Sequence, residues 1–233
     1  MIRAASLSAV PHGFFGRAAG DCGLGSGQDP ALAAANRRRA ADAIMPGAPF
    51  ASAYQIHSPT AVIVTEAVAD DQRPRADALV TATPGLVLGI VTADCAPVLL
   101  ADADAGVIAA AHAGWRGAVA GVTDQAIAAM LTLGARVDRI AAAIGPCIAR
   151  ASYEVDHAFA ERLLADDSGN DRFLSDGPRG SRTSTSKPMS PRASPPLACG
   201  ASKRSGATPI RSTAAISAFA APPTAASRAT AAN

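Results

Sequence analysis

Between positions 53 and 112 the chain is a series of short apolar runs with brief polar breaks: AYQIH (53–57), AVIVTE (61–66), DALVTA (77–82), LVLGIVTAD (86–94), PVLLAD (97–102) and GVIAAAH (106–112). Short runs that are apolar on both faces are the pattern of strands buried in a sheet. A further strand is expected over VDRIAAAIG (137–145). Helical spacing is confined to three segments. Asp29 offers an N-cap with Pro30 at the first helical position, opening a helix through ALAAANRRRAADAI that Pro46 closes. Over 117–133, Val119, Val122, Ala126, Ile127, Met130 and Leu133 recur at helical spacing, with Gly134 as C-cap. A short helix is expected over 156–165. Strands outnumber helices and do not alternate with them, so the expected class is α+β in a single domain rather than a βαβ fold.

Composition narrows this picture. The 233 residues, 49% of them hydrophobic, suffice for one domain with a core. No run approaches the ~20 apolar residues of a membrane span, and no leader-like segment opens the chain, so a cytoplasmic protein without membrane contact is expected. Cys22, Cys95, Cys147 and Cys199 form no CxxC pair, and reduced thiols are expected. The formal charge of +2 is deceptive. Residues 1–180 carry 14 basic and 19 acidic side chains, whereas residues 181–233 carry seven Lys/Arg and no acid. The basic excess thus lies in the tail, which has no aromatic interleaving to stack bases, and nucleic acid is not an expected partner. Of those last 53 residues, 37 are Ser, Thr, Ala or Pro. They show no lasting period, so little regular structure is expected there. Such a segment is either a disordered basic tail or the out-of-frame translation of GC-rich DNA.

Two stretches have residue types that packing alone does not call for. One is TADC (92–95), where a strand-like run ends on Asp94 and Cys95. The other is AHAGWRG (111–117), where a run ends on His112 and turns through Gly114 and Gly117 into a helix. In QIHS (55–58), Gln55 and His57 fall on one face if the segment is extended. His57, Cys95 and His112 are chemically a zinc set, two imidazoles and a thiolate with a fourth position left open. Two other readings stand beside it. Cys95 and the histidines can be ordinary packed residues, or Cys95 can be a nucleophile with His112 as base and Asp94 or another carboxylate orienting it. Arg17 and Arg116 are candidates for holding a substrate anion. Arg37, Arg38 and Arg39 read as a solvated helix face. Trp115 can be a core anchor or a wall for a base.

The motifs HGFFGR, Asn36-Arg37, QIHS, ADALVT, TADCAPVLLAD, AAHAGWRG, AIGPCI and YEV occur in an order that resembles the polyphenol oxidase (laccase-domain) family, also called the YfiH family, over roughly residues 10–176. The resemblance implies an α+β fold with mixed sheets sandwiched between helices, and zinc on His57, Cys95 and His112. It also implies phosphorolysis of adenosine, inosine and methylthioadenosine with adenosine deamination alongside. Purine nucleosides and inorganic phosphate would then be the partners, with Arg17 and Arg116 candidates for the phosphate by their chemistry rather than by the resemblance, and Gln55 a further substrate-binding candidate. Cys95, His112, His57 and Asp94 would be the catalytic ones, with Asp94 or Asp77 as proton carrier. Copper, reported for the family, fits this sequence less well, since four His and four Cys in all do not furnish a multinuclear cluster. Against the family pattern, a loop near residues 18–23 is shortened and the closing segment is replaced from about Ser181, which favours the out-of-frame origin of the tail. The alternatives are a metal-independent cysteine hydrolase on Cys95 and His112, or an inactive truncated member.

Overall fold

The computed structural model describes residues 1–24, 27, 29–149 and 152–176, together with the backbone of two strands at 182–184 and 215–220. In chain order the strands are β1 (His12–Phe14), β2 (Phe50–Ser52), β3 (Ala61–Ile63), β4 (Ala78–Thr81), β5 (Val87–Thr92), β6 (Ala96–Asp102), β7 (Val107–Ala113), β8 (Ala141–Ile144), β9 (Glu154–Val155), β10 (Leu174–Asp176), β11 (Arg182–Ser184) and β12 (Ala215–Ala220). The helices are α1 (Pro30–Ile44), α2 (Trp115–Val119), α3 (Val122–Thr132) and α4 (His157–Asp166).

Two sheets stack face to face. One is ordered β3-β4-β7-β6-β8, the other β1-β12-β5-β2, and a small third sheet is ordered β10-β11-β9. Every residue of β6 and β7 is buried, as their doubly apolar sequence requires. Leu79, Leu99, Ile108 and Ala110 of the first sheet meet Phe14, Leu88 and Ile90 of the second in the central core. On the far side of the first sheet, Val122, Ala126 and Met130 of α3 pack on Val80, Val98, Leu100, Ala109 and Ala111. On the far side of the second, Ala40, Ala41 and Ile44 of α1 pack with Val87, Phe50 and Val91. Helices thus cover both outer faces of a single α+β domain. Fully buried Leu99 or Ile108 contributes about 1.5–3 kcal/mol by leaving water.

Some elements differ from their sequence pattern. Residues 53–57 are not a strand: the strand comes earlier, as β2, and Tyr54 makes only an isolated bridge to Arg75. The apolar stripe over 117–133 is split into α2 and α3 at Gly121, whose φ of 86° no helix allows. Residues Val137–Arg139 form a 3-10 turn before β8 begins. The triple arginine is not a solvated face, since Arg37 is buried and donates from Nε to the Cys22 carbonyl at 2.7 Å. Beside it, Asn36 donates to the Asp21 carbonyl at 2.6 Å, so the Asn-Arg pair ties α1 to the 18–23 segment. Two pieces of the low-complexity tail are strands, β11 and β12, the latter lying between β1 and β5 and antiparallel to both. The rest of 181–233, Cys199 included, lies outside the described residues.

Candidate metal centre

Sheet register builds the centre. β6 and β7 pair antiparallel with Pro97 opposite His112 and Ala96 opposite Ala113, so Cys95, just before β6, lies beside the end of β7. β4 and β7 pair with Ala78 opposite Ala111, which brings Asp77 to His112, and the His112 amide donates to the Asp77 carbonyl at 2.6 Å. By strand alternation His112 shares the face of Ile108 and Ala110. His57 arrives from the loop between β2 and β3. The potential ligand atoms of His57, Cys95 and His112 all lie within 4.8 Å of one another. The two imidazoles meet edge to face, with centroids 4.8 Å apart and an interplanar angle of 79°. His57 is exposed, Cys95 half-buried and His112 buried, so the group opens to solvent on one side.

The backbone is unusual at this point of the molecule. Among the described residues, His57 (φ 59°) and Asp94 (φ 72°) are the non-glycine positions with left-handed backbone. Each costs about 1–3 kcal/mol, a cost that persists where surrounding structure enforces it and that clusters at functional sites. Gln55 and His57 therefore do not share a face of an extended segment. Two glycines of the 111–117 stretch are required by close approach. A Cβ at Gly114 would stand 2.8 Å from His57 Cδ2 and 3.2 Å from Cys95 Sγ, and one at Gly117 would stand 2.9 Å from the Ser58 carbonyl oxygen.

Asp77 is fully buried, and five donors converge on its carboxylate: the amides of Ile56, His57 and Ser58, the Ser58 hydroxyl and His112 Nδ1. Burial pushes its carboxyl up, but the hydrogen bonds from His112, Ser58 and His57 outweigh this and hold it at about 2. For His112, burial disfavours the charged ring, yet hydrogen bonds to Asp77 and Cys95 and the charges of both raise it to about 9. His57 is lowered, first by burial and then by the charge of His112.

The remaining candidates are distributed unevenly. Arg116, on the first turn of α2, is exposed, sits over the Trp115 ring at 4.9 Å and is close enough to lower the His57 pKa. Asp94 is exposed at the rim, and its carbonyl accepts from the Ile148 amide at 3.0 Å, which brings the GPCI stretch against the site. Gln55 spends both ends of its amide on Val91, donating at 2.7 Å and accepting at 2.9 Å, so it clamps the loop to β5. Arg17 is exposed on a separate 3-10 turn, Arg17–Ala19, beside β1. His12 is turned away, its ring nitrogens meeting the Ala4 amide and the Val10 carbonyl. Sequence reasoning missed Tyr153 as a site residue. Burial and the charge of Cys95 raise its hydroxyl, Arg116 and Asp94 also act on it, and its ring packs at 6.3 Å on Phe159, which in turn meets Trp115 at 4.8 Å. The YEV triplet was the signal that could have placed it.

Comparison with known proteins sets this geometry among relatives. Residues 3–186 match the family described as multi-copper polyphenol oxidoreductase laccase. A protein of Mycobacterium tuberculosis named purine nucleoside phosphorylase is 44% identical over 167 residues, covering 70% of this chain and 63% of that relative. The chain thus spans less than two thirds of that relative's length. A purine nucleoside phosphorylase of Deinococcus radiodurans is 45% identical over 177 residues, covering 71% and 67%. A protein from an unknown prokaryotic organism named adenosine deaminase is 47% identical over 85 residues, covering 36% of this chain and 32% of that relative. Among solved structures, YlmD from Geobacillus stearothermophilus superposes with a TM-score of 0.64 at 25% identity, covering 78% of this chain and 74% of that one. A Neisseria meningitidis protein does so with a TM-score of 0.61 at 32% identity, covering 71% and 65%.

Proposed function

The chain belongs to the multi-copper polyphenol oxidoreductase laccase family, and within it we propose a zinc-dependent purine nucleoside phosphorylase acting on adenosine, inosine and methylthioadenosine, with adenosine deamination as a second activity. The observation that carries the proposal is the convergence of His57, Cys95 and His112 in a chain whose relatives are named purine nucleoside phosphorylase.

The donor set fits a single ion. Two imidazoles and a thiolate suit zinc and leave a fourth position open. Asp77 engages His112 Nδ1, which leaves Nε2 for a metal, the arrangement usual for metal-ligating histidines. With His12 engaged elsewhere, the group lacks the imidazoles of a multinuclear copper cluster. When bound, zinc supplies Lewis-acid polarisation at the mouth of the site.

The chain's own residues supply the rest. The exposed Arg116 guanidinium offers forked donors to an inorganic phosphate, and the Trp115 and Tyr153 rings offer apolar surface beside it for a purine. Asp94, exposed at the rim, is the carboxylate free to carry a proton, whereas Asp77 has its oxygens occupied. The test is metal analysis of purified, monodisperse protein followed by incubation with adenosine or inosine. Phosphate-dependent release of free base is the expected result. Zinc-loaded, folded protein that releases no base overturns the reading.

A second reading has a specific observation behind it. His112 contacts both Cys95 and Asp77, the order of a thiol nucleophile, its base and the group that orients the base. It predicts turnover that survives chelation and is abolished by thiol alkylation. His57 has no role in that scheme, and its presence in the cluster favours the metal.

A further inference from the structure

We infer that Asp77 is a positioning residue that fixes both histidines of the metal group through one carboxylate. The inference rests on the metal-centre reading above. Its atoms are specific: Oδ1 accepts from the His57 amide at 2.9 Å and from His112 Nδ1 at 2.8 Å. Oδ2 accepts from the Ser58 amide at 2.6 Å, the Ser58 hydroxyl at 2.9 Å and the Ile56 amide at 3.2 Å. A single oxygen therefore links the backbone of one ligand to the ring of the other.

Three consequences follow from elementary chemistry. First, three successive amides of residues 56–58 point at one charge, which holds His57 in its left-handed backbone against the cost of that conformation. Second, an acceptor at Nδ1 keeps the His112 proton there and Nε2 turned to the metal side. Third, the carboxylate must accept at both oxygens. An amide has one acceptor atom, so Asn at this position satisfies either the Oδ1 set or the Oδ2 set but not both. With five donors filling its oxygens in a fully buried site, Asp77 has no lone pair for a substrate proton.

The test compares wild type with D77N and D77E in two measurements: zinc affinity by competition with a chromophoric chelator, and imidazole and backbone-amide 15N spectra of the metal-free protein. In D77N we expect zinc affinity to fall about 10- to 100-fold, and either the His112 Nδ1 resonance or the Ile56 and Ser58 amide resonances to shift, according to which set the amide oxygen keeps. D77E keeps the charge but moves it by a methylene, and its affinity should also fall. If D77N fails to fold, D77E decides the affinity arm. Wild-type affinity in a folded D77N or D77E, or His112 Nδ1, Ile56 and Ser58 signals that are all unchanged in D77N, overturns the assignment. Failure of the wild type to bind zinc overturns the metal reading instead, and the 15N comparison, which needs no metal, then decides whether Asp77 positions the two histidines.

Discussion

Gly114 shows how little room the centre has. With Cβ distances of 2.8 Å to His57 and 3.2 Å to Cys95, G114A must displace one of two side chains. Overpacking of this kind costs about 1–3 kcal/mol, and here it falls on ligand geometry, so the variant should stay folded by circular dichroism while its zinc affinity drops. Affinity equal to wild type would show that the two side chains are not held by the metal. The charges of the site set a second expectation, for the metal-free protein. His112 is raised from 6.5 to about 9, so its stabilising charged form is fully present below 6.5 and is lost as pH rises through about 9. Asp77 is depressed from 3.8 to about 2, so its contribution is present above 3.8 and is lost as pH falls through about 2. Melting temperature after chelation should therefore be highest between about pH 4 and 6.5 and decline on both sides. H112Q should remove the alkaline decline; an identical decline in that variant would assign it to another group.

At the scale of elements, α1 carries the clearest difference between sequence pattern and packing. Three successive arginines look like solvent-facing charge, yet one of them is buried and bonded to the Cys22 carbonyl, with Asp70 3.5 Å from its Nη1. A hydrogen bond from a charged donor is worth about 1.5–3 kcal/mol, so R37A should lower stability to urea by that order. R39A, at an exposed neighbour whose guanidinium donates to Asn36 Oδ1, should cost less, about 0.5–1.5 kcal/mol, and equal losses in the two would refute the packing role of Arg37. The contrast explains what the sequence made legible. β4 through β7 and α1 were readable because doubly apolar runs and an Asp-Pro cap have few alternative uses. His57, Cys95 and His112 were readable because imidazole and thiol interrupt those runs. Arg37 was not, because its partners are a distant main-chain carbonyl and a loop aspartate that no periodicity encodes. The break between α2 and α3 was hidden for a related reason: apolar spacing continues across Gly121, and only the left-handed backbone there reveals two helices.

For the molecule as a whole, the candidate ligand group ties together segments that folding must first assemble. His57 comes from the loop between β2 and β3, Cys95 from the start of β6 and His112 from the end of β7. In an unfolded chain these residues are separated by 38 and 17 positions, with no short chelating motif to hold an ion. Zinc should therefore bind the native state almost exclusively, and its binding free energy becomes folding free energy. At a free concentration one hundred times the dissociation constant, this amounts to about 2.7 kcal/mol. For a chain of this size each kcal/mol moves the melting temperature by about 2–4 °C, so saturating zinc should raise it by about 5–10 °C over the chelated protein. The rise should be absent in H112A, where only two ligands remain. A wild-type melting temperature that does not respond to zinc would mean that the three side chains meet for a reason other than metal. The Cys95–His112–Asp77 arrangement would then become the leading account of the site, with thiol alkylation rather than chelation as the treatment that abolishes turnover.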